Sequence, residues 1–382
     1  MDAQTQATRE AIVRLLGDRA SSLFVREPLI DARYPMTSDA DVIAFAGVDS
    51  LLPERLNLPS ADGSLPIDVI WLPDNMLHDP AVFAGQGVLP HRLVTSTLLL
   101  DRDGSAARRQ QAVCDAMWTP SIHARRIRGF MEMGFLTVQE IGVTWDCPAV
   151  ALFWLHIAFA ASITACADAL GVLSPNVYTR PFDYADSLPD EGLGDWIERL
   201  AHVLQLDVEP TSLIAPLREL HEVVASGFPE PAWPSEMRGT TRAEYRYFRD
   251  HAELEWRIGV AREMIARGDH RAATYYLRFW AYSLARIPMV WQCAQENRDV
   301  SFVRPERAVS PALRKLCPPA LELLATILAK PATDTDDVTG ALAVIKGFRE
   351  HVISIVNNRN IPLGEIKPWA PYQRLRSQAT PV

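Results

Sequence analysis

Three aspartates near the start of the chain have the spacing of a carboxylate metal site. Asp39 and Asp41 stand two residues apart at the start of an apolar, β-prone run, so their side chains point to the same face of a strand. Asp68 lies inside a second apolar run, where a charged side chain is costly unless it is paired or binds a metal. Carboxylate oxygens suit Mg²⁺, which can stabilise the attacking and leaving oxygens of an in-line phosphoryl transfer. The sequence therefore predicts a Mg²⁺ site with Asp39, Asp41 and Asp68 as ligands.

The same aspartates have a structural alternative that involves no ligand. Ser38-Asp39 could cap an element, Asp41 could lie at a strand edge, and Asp68 could be an edge charge that discourages aggregation. The order of the segments favours the metal site, because a third β-prone run follows the two that carry the aspartates and ends in Asp101-Arg102-Asp103-Gly104.

These aspartates must be positioned by the short elements of the first hundred residues. The apolar positions of Thr5–Leu16 recur every three and four residues, which predicts one amphipathic helix closed by Gly17. Turn clusters separate four β-prone runs, which are Ser22–Val25, Asp41–Phe45, Ile67–Leu72 and Leu93–Leu100. We therefore expect a small mixed sheet with a helix or two.

After Ser105 the β-prone runs stop and segments with helical period follow: Ala106–Trp118, Ser121–Met133, Pro148–Leu170, Leu193–Leu204, Thr211–Ala225, Thr241–Arg267, His270–Ala294, Ala312–Leu328 and Thr335–Asn358. The chain is therefore predicted to be α+β. We place a small mixed-sheet domain at residues 1–115, a larger all-helical domain at 116–372 and a loose polar tail at 373–382.

On these motifs the chain resembles the polymerase-β-like nucleotidyltransferase superfamily, in particular antibiotic adenylyltransferases that carry a helical second domain. The resemblance rests on S-D-A-D-V-I at Ser38–Ile43, P-I-D-V-I-W at Pro66–Trp71 and L-L-L-D-R-D-G at Leu98–Gly104. In the helical part, Gly268–Arg278 is similar to the family's A-x-x-Y-x-L-R type of helix.

The resemblance implies transfer of a nucleoside monophosphate, commonly AMP from ATP, to a hydroxyl group with release of pyrophosphate. Asp39 and Asp41 would bind Mg²⁺, and Asp68 would complete the metal site and activate the attacking hydroxyl as the catalytic residue. Ser38 would contact the nucleotide. The partners implied are a nucleoside triphosphate and a small metabolite or antibiotic-like acceptor.

The sequence departs from the family where a Gly-Ser pair precedes the first metal aspartate, because the corresponding register reads Arg26-Glu27-Pro28. Arg26 or Arg33 could hold the phosphates by charge instead. The departure leaves open a second class of function, a nucleotidyltransferase-like protein that has lost nucleotide transfer and acts as a binding or regulatory module or in another metal-assisted reaction. A third alternative is an enzyme of the toxin–antitoxin type that modifies a protein or tRNA.

In the helical part, Arg271, Tyr275 and Arg278 share one helix face at spacings i, i+4 and i+7. As candidates for substrate binding they could point at the cleft between the domains and meet phosphate or an acidic substrate; the alternative is a packed tyrosine between two solvated or salt-bridged arginines. The adenylyltransferases also recruit a carboxylate from this domain, but nothing in the sequence chooses among three candidates, each predicted to lie at the surface: Glu244, Glu253 and Glu255.

The composition limits the remaining possibilities. The 382 residues are 48% hydrophobic and 22% charged, which is typical of a globular protein, and the net charge of −9 gives no field that would attract a nucleic acid. Five scattered cysteines without a C-x-x-C pair predict a reducing, cytoplasmic location. The uncharged stretch Cys147–Ala167 is predicted to be a buried helix rather than a membrane span, because no Lys or Arg cluster lies beside it. We expect no nucleic-acid or membrane partner; the oligomeric state stays open.

Overall fold

The computed structural model of the protein describes residues 3–26, 39–48, 52–60, 63–141, 148–173, 181, 182, 188, 192–235, 237, 239–298, 300, 305–328 and 335–364. Its architecture is α+β, as the sequence predicts. A five-stranded mixed sheet with flanking helices comes first, and the described part of the chain after the sheet is helical.

The first part begins with a helix and then alternates strands with short helices. Its elements are α1 (Ala3–Leu16), β1 (Ser22–Arg26), β2 (Ala40–Ala46), β3 (Leu52–Ser60), β4 (Gly63–Pro73), α2 (Pro80–Ala84), α3 (Leu89–Val94), β5 (Ser96–Asp101) and α4 (Ala106–Met117). The strand order in the sheet is β3-β4-β2-β1-β5. Only the central pair of β2 and β4 is parallel among the described strands, and the other three pairs are antiparallel.

Alternation along the strands gives the sheet two apolar faces. One face packs on α1 through side chains that include Val42, Ala44, Ile67 and Val69. The opposite face packs on α2, α3 and α4 through Phe24, Ile43, Phe45 and Leu72. Asp39, Asp41, Ile43 and Phe45 follow one another at intervals of two residues, so their side chains point to the same face of the sheet, the one that carries the short helices. The two aspartates lie at the end of β2 that these helices do not cover.

Strand β3 is absent from the sequence-based prediction, and the fourth predicted strand begins too early. β3 contains Pro53 and Pro59, which lower its strand propensity, but it lies at the edge of the sheet, where proline is tolerated. Leu93 and Val94 belong to α3, and β5 starts only at Ser96. The predicted strands at Ser22–Val25, Asp41–Phe45 and Ile67–Leu72 are confirmed within a few residues.

The helical part consists of α5 (Pro120–Ile141), α6 (Pro148–Ala169), α7 (Leu193–Val203), α8 (Ile214–Gly227), α9 (Gly239–Arg249), α10 (His251–Ala266), α11 (His270–Ala285), α12 (Ile287–Gln295), α13 (Pro305–Leu316), α14 (Pro318–Leu328) and α15 (Thr335–Asn358). The long helix predicted at Thr241–Arg267 is two helices, because the carboxylate of Asp250 accepts the backbone N–H of Ala252 and starts a new one. The segment predicted at His270–Ala294 likewise divides before Pro288.

Helix α6 is the uncharged stretch of the sequence, and it is a buried core helix. It packs against α5 and α15, and side chains all around it are inaccessible, including Leu155, Phe159 and Ile163. Among the described residues, no helix is both long and apolar enough to cross a membrane.

A buried ion pair ties the first part to the helical part. Asp168 of α6 accepts two hydrogen bonds from Arg126 of α5, at 2.7 and 2.9 Å, and both side chains are inaccessible to solvent. Nη1 of Arg126 donates to the carbonyl oxygens of Ala84 and Met117, at the ends of α2 and α4. The guanidinium therefore links α2 and α4, which pack on the sheet, to α5 and α6.

His91 of α3 is buried beside this ion pair and gives a pH-dependent stability. Burial lowers the pKa of His91 to about 4, although Asp168, whose carboxylate lies 3.6 Å from Nε2, partly opposes the shift. The unfolded chain, with an ordinary histidine pKa of about 6.5, binds one more proton than the folded chain between those values, so stability falls as the pH falls through that window. We expect His91 to account for a loss of about 2–3 kcal/mol between pH 7 and 4.5.

Urea unfolding of the wild type and of His91→Gln at both pH values measures this contribution. The glutamine variant lacks the titrating group, so its stability should fall less than that of the wild type over the same interval. An equal fall in both proteins would show that His91 is not the group responsible.

Candidate functional site

Four charged side chains lie in a row across one face of the sheet. Asp41 of β2 and Asp68 of β4 are direct partners in the parallel ladder, and Arg55 of β3 is the antiparallel partner of Asp68. On the other side, Nη1 of Arg26 in β1 lies 2.8 Å from the carboxylate of Asp41. The row therefore reads Arg55, Asp68, Asp41, Arg26, with each carboxylate beside a guanidinium.

Asp39 lies on the same face and completes the carboxylate cluster. Nη1 of Arg55 donates to both Asp39 and Asp68, at 2.9 and 2.5 Å, so one guanidinium bridges two of the three aspartates. The prediction that Asp39, Asp41 and Asp68 share a face of neighbouring strands is confirmed by the register of β2 and β4.

Helix α10 covers the cluster with a carboxylate and a second arginine. The side chain of Glu253 is 5% exposed. Its carboxylate accepts a hydrogen bond from Nε of Arg257 at 2.5 Å, and it lies 3.2 Å from Nε of Arg55. Nη2 of Arg257 reaches Asp68 at 3.3 Å. The sheet and the helical part are therefore joined here by ion pairs, in addition to the buried pair of Arg126 and Asp168.

Aromatic side chains hold the two guanidiniums in place. Arg257 lies 4.2 Å from the ring of Trp256 and 4.7 Å from that of Trp280, and it donates to the hydroxyl groups of Tyr247 and Tyr276. Arg55 lies 4.2 Å from the ring of Trp256. Stacking of guanidinium on aromatic faces restricts both arginines to a narrow range of positions.

A cleft of about 530 Å³ opens between the sheet and α9 at this cluster. Its walls include Arg55, Asp68 and Ile70 from the sheet side and Tyr247 and Phe248 from α9. Charged side chains of both signs line the rest of the cleft, so it can bind a polar ligand that also has an apolar part to contact Ile70, Tyr247 and Phe248.

The electrostatics differ sharply between the two bridged aspartates. Burial, together with the neighbouring carboxylates of Asp68 and Asp41, raises the pKa of Asp39 to about 7. Burial acts in the same direction on Asp68, but the guanidiniums of Arg257 and Arg55 outweigh it and hold the pKa of Asp68 below its ordinary value. Asp68 therefore stays anionic, whereas Asp39 can carry a proton near neutral pH.

The donor chemistry of the cluster suits Mg²⁺, because all three predicted ligands are carboxylates. As arranged, however, the cation between Asp39 and Asp68 is the guanidinium of Arg55. Within the described part of the chain, no three His, Cys, Asp or Glu side chains are arranged to hold a metal ion. The aspartates therefore fit Mg²⁺ only if Arg55 moves away from them.

Of the three residues predicted to bind the nucleotide, the structure describes only Arg26. Arg26 does lie beside the cluster, where it pairs with Asp41. Ser38 and Arg33 lie outside the described residues.

The structure does not bring Arg271, Tyr275 and Arg278 to the cleft. They share a face of α11, as predicted, but that face packs within the helical part. Arg271 pairs with Glu198 and Asp207 beside a separate groove, and Tyr275 is buried against the rings of His156 and Phe182. Arg278 is buried and donates to the carbonyl oxygens of Leu204 and Ile327. The face therefore does not reach the cleft between the domains: Tyr275 is packed and Arg271 is salt-bridged, as the alternative has it, and the residues before α8 lie against this face.

Two residues of the cluster, Arg55 and Arg257, were missed by the sequence reasoning, and Glu253 was one of three candidate carboxylates among which the sequence did not choose. Arg55 lies on the unpredicted strand, and Glu253 was expected at the surface together with Glu244 and Glu255. Those two glutamates do lie further out, where Glu255 pairs with Arg218. One usable signal was present, since Glu253 and Arg257 have the i, i+4 spacing of a helical ion pair within an aromatic-rich segment.

Comparisons with known proteins find similarity in structure only at a distance. No protein-family model matches the chain, and no curated protein matches it. A solved structure described as a nucleotidyltransferase-like protein from Exiguobacterium sibiricum 255-15 is similar over 73% of this chain and 80% of that chain, with 9% identity and a TM-score of 0.32.

Proposed function

We propose that the protein is a Mg²⁺-dependent nucleotidyltransferase that moves a nucleoside monophosphate, with ATP as the expected donor, to a hydroxyl group of a small acceptor in the cleft. The observation that carries the proposal is the convergence of Asp39, Asp41 and Asp68 on one sheet face, where Asp68 lines the cleft and Arg55 bridges it to Asp39. Three carboxylates are rarely placed together unless they serve a cation or a proton transfer.

The charges of the cluster suit a metal–nucleotide complex. Asp39, Asp41 and Asp68 would hold Mg²⁺, which supplies charge neutralisation for the phosphate oxygens when it is bound. The guanidiniums that now pair with these carboxylates would be released toward the phosphates, to which arginine binds in the same bidentate way as to carboxylate. In this exchange each charged group of the protein keeps a partner of opposite sign.

Arg55 already has a free donor for such an anion. Its Nη2 is buried and has no hydrogen-bond partner among the described residues, although Nη1 and Nε are both engaged. An unpaired buried donor costs about 1–3 kcal/mol, so a phosphate oxygen that reached it would recover that energy. This donor supplies part of the phosphate grip that the missing Gly-Ser pair would give.

The roles of the carboxylates follow from their environments. Asp68 stays ionised because two arginines stabilise its charge, so it is the group best placed to accept a hydrogen bond from an attacking hydroxyl. Glu253 holds Arg55 and Arg257 from the helical side and sets their positions over the cleft. The apolar wall at Tyr247 and Phe248 would contact the acceptor or the base.

A second function is favoured by a specific observation, the pairing of every one of the three aspartates with an arginine. A cluster whose charges are already balanced can serve as a binding or regulatory module that takes no metal. In that case the cleft would bind its ligand without Mg²⁺, and loss of the aspartates would change stability rather than nucleotide binding.

Calorimetric titration of the protein with ATP, GTP, CTP and UTP, each with Mg²⁺ and with EDTA, separates the two functions. The proposal expects binding of one nucleotide that EDTA abolishes. Equal binding with and without Mg²⁺ would support the second function, and absence of binding by all four nucleotides to the folded protein would contradict the transferase. A mass-shift screen of hydroxyl compounds with the nucleotide that binds would then identify the acceptor.

A further inference from the structure

The guanidinium of Arg55 stands in the position of a metal ion. Its Nη1 lies 2.9 Å from Asp39 and 2.5 Å from Asp68, so a single positive group satisfies one oxygen of each carboxylate. A divalent cation that used these two aspartates would need the same space between them. We propose that Arg55 is a resident cation that keeps bare divalent metal out of the carboxylate cluster, and that removal of this one side chain turns the cluster into a metal site.

Four independent restraints hold Arg55 in this position. It is the ladder partner of Asp68 in the β3–β4 pair, so the register of the hairpin delivers it to the cluster. Glu253 holds Nε at 3.2 Å, Trp256 stacks on the guanidinium at 4.2 Å, and the side chain is only 13% exposed. A side chain fixed in this way is part of the architecture of the cleft, because a surface arginine would lose its rotamer freedom for little gain.

The charge balance supports the same conclusion. Four carboxylates, those of Asp39, Asp41, Asp68 and Glu253, face three guanidiniums, those of Arg26, Arg55 and Arg257. With all four carboxyl groups ionised, as they would be around a bound metal, loss of Arg55 leaves four carboxylates facing two guanidiniums, and the excess of two negative charges matches one divalent ion. With Arg55 in place the excess is one, and the space between Asp39 and Asp68 is filled.

The inference deepens the proposed function and rests on it only in taking Mg²⁺ as the natural ion. It states that the metal enters together with the nucleotide, because only a phosphate offers Arg55 a new anionic partner as it leaves the aspartates. The wild-type protein should therefore bind divalent metal weakly in the absence of nucleotide and well in its presence.

Electron paramagnetic resonance with Mn²⁺ as the probe, without nucleotide, tests the inference. Arg55→Met keeps the length and apolar part of the side chain but removes the charge. We expect this variant to bind one Mn²⁺ at least tenfold more tightly than the wild type does, and we expect the gain to vanish when Asp39→Asn is added. Arg19→Met is the matched control, because Arg19 is an exposed arginine that pairs with Glu54 and stacks on Trp71 outside the cluster.

Several outcomes would overturn the inference. One is a folded Arg55→Met protein, with the circular dichroism of the wild type, that binds Mn²⁺ no better than the wild type. A second outcome decides the question even if that variant fails to fold. If the wild-type protein binds one Mn²⁺ tightly without nucleotide, and Asp39→Asn abolishes this binding, Arg55 does not exclude the metal. Neither test uses nucleotide, so a failure of all four triphosphates to bind would refute the proposed function without deciding the role of Arg55.

Discussion

Replacing Asp168 by alanine is expected to destabilise the protein by about 3–5 kcal/mol, because it leaves the guanidinium of Arg126 buried without its carboxylate. Asp168 accepts both the Nε and the Nη2 hydrogen bonds of Arg126, and neither side chain is accessible to solvent. The lost partner cannot be replaced by water from the surface. Urea unfolding followed by circular dichroism measures the free energy of unfolding of the variant and of the wild type.

Asp115→Ala is the matched control for this measurement. Asp115 is an exposed residue of α4 that accepts a hydrogen bond from Gln111, so its loss should change the free energy of unfolding by no more than about 0.5 kcal/mol. A loss below about 1 kcal/mol in Asp168→Ala would show that the tie between the two parts of the chain does not depend on this ion pair.

Asp68→Asn should weaken metal-dependent binding of ATP on the order of 100-fold, since it removes the charge of a proposed metal ligand and loss of one partner of a close charge pair costs several kcal/mol. The substitution preserves the shape of the side chain and removes the charge that both Arg55 and Arg257 contact. It also removes a carboxylate whose pKa the guanidiniums of Arg257 and Arg55 hold below its ordinary value. Calorimetric titration with ATP and Mg²⁺ measures the effect.

The same substitution at an exposed position, Asp115→Asn, should leave the affinity for ATP unchanged. If Asp68→Asn binds ATP with Mg²⁺ as the wild type does, Asp68 does not belong to the binding site, and the transferase proposed here loses its catalytic residue. The variant protein must first show a thermal transition, because Asp68 also joins the sheet to α10.

The carboxylate cluster could be predicted from the sequence, because it depends on the alternation of side-chain direction along two strands. Asp39 and Asp41 share a face by their spacing alone, and Asp68 needed only the inference that β2 and β4 are neighbours. The register that makes Asp41 and Asp68 direct partners follows from the parallel pairing, which the sequence does not specify residue by residue.

The arginines of the cluster could not be predicted in the same way. Arg55 lies on an edge strand whose two prolines hide its strand character, and its role depends on its being opposite Asp68 in the hairpin. Arg257 and Asp68 are 189 positions apart in the sequence, and only the packing of α10 on the sheet brings their side chains into contact. Contacts of this kind depend on tertiary arrangement, which periodicity does not report.

Arg271 and Arg278 were assigned to a site that they do not reach. The spacing correctly placed these side chains together on α11, but it could not say which surface that face would cover. The residues between α7 and α8 occupy it, and Arg278 satisfies the carbonyl oxygen of Leu204 there. A shared helix face is a local property, whereas the partner of that face is decided by the whole fold.

The most direct test of the central claim is a crystal structure with Mn²⁺ and a non-hydrolysable ATP analogue, with anomalous data collected at the manganese edge. The account predicts an anomalous peak among the carboxylates of Asp39, Asp41 and Asp68, with the guanidinium of Arg55 moved from between Asp39 and Asp68 to the phosphates. A structure with the analogue bound elsewhere, or with Arg55 still bridging the two aspartates and no peak among them, would contradict it.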